Sequence, residues 1–513
     1  MTSLPLAQSG NDPTVIRFTH LPLDIHNLIL ELLSPSDIIA LRKTCRTMVD
    51  ATSQRLLWLK LVERMCQDNT VYRHSFPTDD MSVLELEYAT MSPKKWESLA
   101  LKSESLEEEL PSFATNIIRP EYFSNDAEPE DLYLVPGGRF LIILQRGYLY
   151  LWDLGYISAI GSARSEMKEI ARIQTDCSSY TVHASPDGSA LRILAVSYEP
   201  EAFTKYDYDV LEIFPWKPSP QFTLIASLSV TSSYDLDFTS VCGDKLTLVY
   251  GPLIKIWDFK EDEWATWNTN GEHRQILMTK ETIVLIDEHN LSVWDVPKLV
   301  KDATARSAGE PTVQPSKPRC TLNYTNGYRP FTGYICKGLC DWYTGSPQPL
   351  WYDLLNTSNG YSYHFDRFEA DVSDLQSLDI PIKSLPSFQL PNTGIYGAFI
   401  LPYRACGQSI IVPWGNTRGM RCHIGSTTPG DTRDHNVTLR LVDRISPRCV
   451  SFCPVSGRLV YISPFEDQIE VVDYLWPTDV PQGVDQQVGI PNQPKDKQER
   501  TSDTITTPTE VDG

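Results

Sequence analysis

From residue 18 to about 110, apolar side chains recur at helical spacing with almost no glycine. From about 115 to 475 they fall in short alternating or β-branched runs broken by Gly, Pro and Asn. The first pattern predicts helices, the second strands and turns. Leu21, Ile25, Leu28, Ile29, Leu32 and Leu33 form one broad stripe on a first helix. Pro22 sits in its first turn, where a missing N–H is tolerated, and Asp24 lies near the positive end of the helix dipole. Ser34-Pro35-Ser36-Asp37 ends this helix and caps a second, through Ile38, Ile39 and Leu41 to Cys45-Arg46. A third reaches Leu57, Trp58 and Leu61. Residues 80–96 read as two more short helices parted at Ser92-Pro93, a semi-rigid spacer ahead of the strand zone.

The strand zone repeats one unit, a hairpin whose second strand ends in an aromatic or apolar residue followed by Asp. Hairpins end at Trp152-Asp153, Trp257-Asp258 and Trp294-Asp295, and weaker copies at Tyr352-Asp353, Val442-Asp443 and Val472-Asp473. A further unit, from Ser185-Pro-Asp-Gly188 to Phe214-Pro-Trp216, has the turn and strands but lacks the Asp. Trp-Asp after a hairpin resembles the blade of a WD-type propeller, in which the Trp packs between adjacent blades. A β-sandwich would not repeat that ending. The count predicts about seven worn blades, with Asn116-Ile117-Ile118 supplying a closing strand to the last. Asp153, Asp258 and Asp295 are expected to support turns rather than acid–base chemistry.

Composition narrows the functions. Lys+Arg is 45 against Asp+Glu 66, a net charge of -21, and no basic run is present, which argues against nucleic-acid and anionic-membrane partners. Between Glu104 and Asp131 nine acids face one base, Arg119, a solvated hinge or a docking surface for a basic partner. The 11 cysteines are odd in number and scattered, unlike a disulfide framework. With no charged and apolar leader pattern in the first twenty residues, the expected location is the cytoplasm and/or nucleus. Residues 1–16 are polar, and residues 477–513 are rich in Pro, Gln, Thr and Asp; both are expected to be disordered.

The helical zone resembles a known family. Leu21-Pro22, an acid two residues on, Ile29, Leu33, Asp37-Ile38-Ile39, Leu41, Cys45-Arg46 and Leu57-Trp58 are similar to the F-box, with Met48 where that family often has an aromatic. A generic three-helix domain would share the apolar stripe but not the Leu-Pro start or the distant Cys-Arg and Leu-Trp anchors. The following stretch is similar to the linker of fungal F-box proteins. The resemblance implies docking to a Skp-type adaptor subunit that binds a cullin scaffold in an SCF-type (cullin-RING) ubiquitin ligase. Leu21, Pro22, Ile25, Ile29 and Leu33 would contribute from the first helix, Ile38, Ile39 and Leu41 from the second, and Trp58 as a far anchor.

The expected fold is α then all-β: F-box helical domain 17–62, helical linker 63–110, and β-propeller 111–476. The expected role is a non-enzymatic substrate-recognition adaptor whose propeller binds an unknown protein. An F-box scaffold acting outside ubiquitylation, or an enzyme with its site on the propeller axis, are the rival readings. Insertions near 300–325, 355–393 and 415–437 are the expected contact loops, carrying Tyr361, Tyr363, Phe365, Arg418 and Arg421, with Trp351 just ahead of the second. Neither a metal nor a cofactor is expected. Cys336/Cys340 and Cys449/Cys453 have zinc-like spacing without a matching second pair, and no catalytic signature surrounds Cys422-His423 or Asp431 to His435.

Overall fold

In this computed structural model the described residues are 21–475, apart from 104–105, 120–129, 157–166, 200–201, 233–235, 270–274, 279, 288–289, 302–316, 324–341, 343–349, 357–363, 371–381, 385–386, 390–398, 402–403, 407–408, 417, 427–433, 443–445 and 464–467. The stretches expected to be disordered, 1–16 and 477–513, lie outside them, as does most of the acidic stretch between Arg119 and Asp131.

Among the described residues five α-helices come first: α1 (Leu23–Leu32), α2 (Pro35–Arg42), α3 (Arg46–Thr52), α4 (Arg55–Asp68) and α5 (Val83–Ala100). The third expected helix is thus two, and α4 runs on past residue 62. The expected break at Ser92-Pro93 is absent, because α5 continues through it. Pro93 cannot donate to the Ala89 carbonyl, and the buried Ser92 hydroxyl does so instead at 2.8 Å. A capping box starts the helix, with Glu85 accepting from Ser82 N–H at 2.8 Å and Ser82 Oγ accepting from Glu85 N–H at 3.3 Å. Replacing Ser92 by Ala leaves the Ala89 carbonyl unpaired at a buried site. It should cost about 1–2 kcal/mol, read as a lower urea midpoint with unchanged slope.

Among the described residues, seven antiparallel sheets follow. After β1 (Ala114–Ile118), the first sheet is β2 (Asp131–Leu134), β3 (Phe140–Gln145), β4 (Tyr148–Asp153) and β5 (Lys168–Gln174). The second is β6 (Ser179–Ala184), β7 (Leu191–Glu199), β8 (Ala202–Ile213) and β9 (Thr223–Thr231). The third is β10 (Phe238–Cys242), β11 (Lys245–Tyr250), β12 (Leu253–Asp258) and β13 (Glu263–Asn268). The fourth is β14 (Gln275–Met278), β15 (Thr282–Ile286), β16 (Asn290–Asp295) and β17 (Cys320–Asn323). The fifth holds β18 (Leu350–Asn356), β19 (His364–Ala370), β20 (Ile382–Ser384) and β21 (Phe388–Gln389). In the sixth, β22 (Phe399–Ile400) and β23 (Arg404–Cys406) both pair with β24 (Ser409–Asn416), followed by β25 (Gly419–Ser426) and β26 (Asp434–Arg440). The seventh is β27 (Val450–Cys453), β28 (Arg458–Ser463) and β29 (Gln468–Asp473), completed by β1.

First strands of neighbouring sheets meet each other, as radial blades require. Ser451 Oγ on β27 accepts from Leu134 N–H on β2 at 3.0 Å, and Ser240 Oγ on β10 accepts from Met278 N–H on β14 at 3.3 Å. The ring closes as residues 116–118 suggested, with Asn116 opposite Val471, Ile117 opposite Glu470 and Ile118 opposite Ile469. The chain is therefore a β-propeller behind a helical module.

Trp257 packs with residues of blades 2 and 3, and Trp294 with residues of blades 3 and 4, so each tryptophan fills the gap to the preceding blade. The acids that end third strands hold turns and strands. Asp153 pairs with Arg139 at 2.7 Å, Asp295 with Arg319 at 2.7 Å, and Asp473 with Arg458 at 2.6 Å, while Asp258 accepts from the N–H groups of Lys260 and Glu261. Blade 2 lacks the Asp but uses Glu212, 3.0 Å from Arg192. One of the weak copies differs from expectation: Asp353 lies inside β18 opposite Arg367 rather than at a hairpin end. Asp443 lies outside the described residues. A two-residue match is too short to fix a place within a blade.

Residues 63–110 are not a free spacer but are seated on the propeller. Tyr72 N–H donates to Pro136 O at 3.1 Å, Ser75 Oγ to the same carbonyl at 2.9 Å, and Tyr72 OH to Ser189 O at 3.0 Å. Gly137, at φ +105°, sits so close to Ser75 that a Cβ there would lie 2.3 Å from that residue's own Cβ. On α5, the Trp96 ring lies 5.3 Å from Phe452, and Ala100 O is 3.0 Å from the His435 ring. Leu30, Trp58 and Leu86 of the helices share one apolar cluster with Leu132, Ile143 and Val460 of the propeller. Residues 71–100 thus lie against the first-to-second-strand turns of blades 7, 1 and 2.

Candidate docking surface

The helix α1 is apolar on both sides, so burial rather than periodicity decides which side faces out. His26 and Leu30 are buried against the rest of the module. Leu23, Ile25, Leu28 and Leu32 are exposed, Leu28 by 59% and Leu32 by 83%. Ile25, Leu28 and Leu32 follow at helical spacing and form a solvent-facing strip.

Polar clamps from α4 fix this orientation. Arg64 donates to the Glu31 and Leu33 carbonyls at 2.6 and 2.7 Å, satisfying the end of α1 with a cation where the helix dipole is negative. Lys60 pairs with Glu31 at 2.5 Å, and Asn27 donates to Gln54 at 3.1 Å. Because α1 is held through these groups, its leucines remain uncovered on a fixed frame.

The residues expected on the docking surface divide into three sets. Pro22 and Ile25 are exposed; Leu21, Ile29, Leu33, Ile39 and Leu41 are half-buried. Ile38 and Trp58 are fully buried, so they stand in the module's core and not on its surface. Trp58 donates its indole N–H to Thr52 O at 2.7 Å, and the Arg42 guanidinium lies 5.6 Å from its ring centre. Arg42 also pairs with Glu87 at 2.8 Å, joining α2 to α5. The expected surface set omitted Leu28 and Leu32, although both are in the apolar stripe, and also Val49 and Leu56. The stripe that periodicity marks on α1 is largely the side left in solvent while Leu30 on the other side is buried, so helical spacing alone does not say which leucines a fold will leave out.

The residues singled out for chemistry do not converge. Among the described residues, no group of three or more His, Cys, Asp or Glu is placed to hold a metal ion. Cys336, Cys340 and Asp431 lie outside them. Cys453 is a buried free thiol accepting from Gly137 N–H at 3.3 Å, and Cys449 is half-buried. Burial pushes the Cys422 thiol well above its ordinary range, the reverse of an activated nucleophile. Burial also raises the Asp131 carboxyl at the start of β2 to about 6, against the opposing influence of Arg448. Of the acidic junction, Glu109 is tied to Arg440 at 3.0 Å. Of the expected contact loops, Tyr361 and Tyr363 lie outside the described residues; Arg418 is exposed, and the Arg421 guanidinium is 5.2 Å from the Trp414 ring.

Residues 18–60 match the family model of the F-box domain. No curated protein matches the chain. Among solved structures, an uncharacterised protein from Listeria monocytogenes EGD-e is similar at 10% identity and a TM-score of 0.38, over 67% of this chain and 92% of that one. The WD40 domain of SCAP from fission yeast is similar at 8% identity and a TM-score of 0.37, over 68% and 85%. The Dos1 propeller is similar at 10% identity and a TM-score of 0.35, over 66% and 76%. At such scores the sheet order and register of the chain itself carry the fold.

Proposed function

We propose that this chain, with an F-box domain at residues 18–60, is a non-enzymatic substrate-recognition adaptor of an SCF-type ubiquitin ligase, of the fungal F-box type. In this reading the helices dock to a Skp-type subunit and through it to a cullin, in the cytoplasm and/or nucleus. The observation that carries the reading is the uncovered strip Ile25–Leu28–Leu32 on a clamped helix, the kind of surface that helix-to-helix apolar docking uses. The protein then contributes no chemistry. It raises the local concentration of a bound protein's lysines beside the ubiquitin-loading site. The close seating of α5 and residues 71–76 on the propeller supports such a role, because it fixes the distance between the docking strip and whatever the propeller binds.

The full-length chain should recover both the Skp-type subunit and the cullin from cell extract, and its removal should reduce ubiquitylation of a defined set of proteins. Recovery of the adaptor subunit with no change in ubiquitylated proteins would replace the ligase reading with that of a scaffold.

A further inference from the structure

The outer strands of a propeller are open edges, and most of them here are guarded. The edge of β5 carries Lys168, Glu169 and Arg172. Val300 covers β13 by exchanging two backbone hydrogen bonds of 2.9 Å with Trp264. Leu110 covers β26, donating to Thr438 O at 2.8 Å. The outer strands β17 and β1 are short, with 4 and 5 residues. By contrast β9, the outer strand of blade 2, has 9 residues, Thr-Leu-Ile-Ala-Ser-Leu-Ser-Val-Thr, with no charge and no proline. Among the described residues no segment pairs with its outer side. A long uncharged edge of this kind is a template for an added strand.

We propose that β9 is a docking edge for an extended segment of a partner protein in which apolar residues alternate with Lys or Arg. The two faces of blade 2 set this pattern. On one face Leu228 and Val230 are buried beside Tyr208, so apolar residues of an added strand would extend that layer. On the other, Ser227 and Ser229 stand opposite Asp209 and Asp207 of β8, and the Ser229 hydroxyl bonds Asp207. The serines are short and strands lie about 4.8 Å apart, so a long basic side chain can reach the carboxylates one strand back. Lys205 is the basic residue on that face, 3.9 Å from Asp207. A second copy of this chain fits less well. It would offer only uncharged side chains to the aspartates, and two chains of net charge -21 repel. The edge lies on blade 2 and shares no residue with the docking strip of α1, and the proposal goes beyond the ligase reading without depending on it.

The test is fluorescence anisotropy on the full-length chain with a labelled peptide alternating Val and Lys and matching the 9 residues of β9. Binding is expected, weakened about tenfold or more by Ser227→Lys, which places a charge on the edge, and similarly by Asp207→Asn with Asp209→Asn. Because Ser227 is exposed and Asp207 and Asp209 are only half-buried, circular dichroism should be unchanged. Leu28→Asp with Leu32→Asp should leave this binding intact, separating it from the adaptor docking. No binding, equal binding of a peptide alternating Val and Glu, or indifference to Ser227→Lys would overturn the proposal. So would a dimer in light scattering that Ser227→Lys abolishes, since the edge would then belong to a second copy.

Discussion

Replacing Leu28 and Leu32 together by Asp is expected to abolish recovery of the Skp-type subunit while leaving the protein folded. Both side chains project from α1 into solvent, so the free protein gains two carboxylates at positions where they remain hydrated. In a docked complex the same carboxylates would sit in a desolvated apolar contact without partners, and burying an unpaired charge is strongly unfavourable. Loss of two leucine contacts alone is worth about 1.5–3 kcal/mol each. Affinity should therefore fall by at least about 100-fold, equivalent to about 2.7 kcal/mol, with an unchanged urea midpoint. Trp58→Ala is the instructive contrast. It removes a fully buried ring and its bond to Thr52, and should lose binding through a destabilisation of about 3–5 kcal/mol. If the double aspartate variant still recovers the subunit at wild-type levels, α1 is not the docking element.

These two kinds of residue show where the sequence is informative and where it falls silent. The Leu-Pro start and the Leu57-Trp58 pair mark the helical domain because they combine unlike residue types at long spacing. Periodicity could not separate Trp58, a core residue, from Leu32, an exposed one, since both are large, apolar and on helices. The blades were legible where the Trp of a Trp-Asp ending must fill the gap to its neighbour, and faded where a chance Tyr352-Asp353 fell inside β18. Pro93 misled because its missing N–H normally ends a helix, whereas here a serine hydroxyl one residue earlier supplies the bond. The seating of residues 63–110 was hidden for a different reason. Tyr72 and Ser189 are 117 positions apart, and nothing local in either segment announces the other.

Arg458 and Asp473 lie where the ring closes, and Arg458→Met should be among the most destabilising substitutions in the chain. Both side chains are almost fully buried, at 4% and 3% exposure. Arg458 donates to Asp473 at 2.6 Å and also to the carbonyls of Gly138 and Gly155 at 2.6 and 2.9 Å, so one guanidinium joins blade 7 to blade 1. On the same residue, Asp473 O accepts from Phe113 N–H at 2.7 Å, and Asp473 stands opposite Ala114 of the closing strand β1. Methionine would leave a buried carboxylate and two carbonyls unpaired, a loss of about 3–5 kcal/mol. Adding Asp473→Leu removes the stranded charge and should recover part of that loss, which a double-mutant cycle in urea would measure. Arg192 repeats the arrangement from blade 2 to blade 3, donating to Glu212, Asp244 and the Gly243 carbonyl, but all three charged side chains are more exposed. Its replacement by Met should therefore cost less. Equal losses at Arg458 and Arg192 would mean that burial does not set the strength of these inter-blade links. A double variant no better than Arg458→Met would mean that the bonds to Gly138 and Gly155, rather than the ion pair, hold the ring closed.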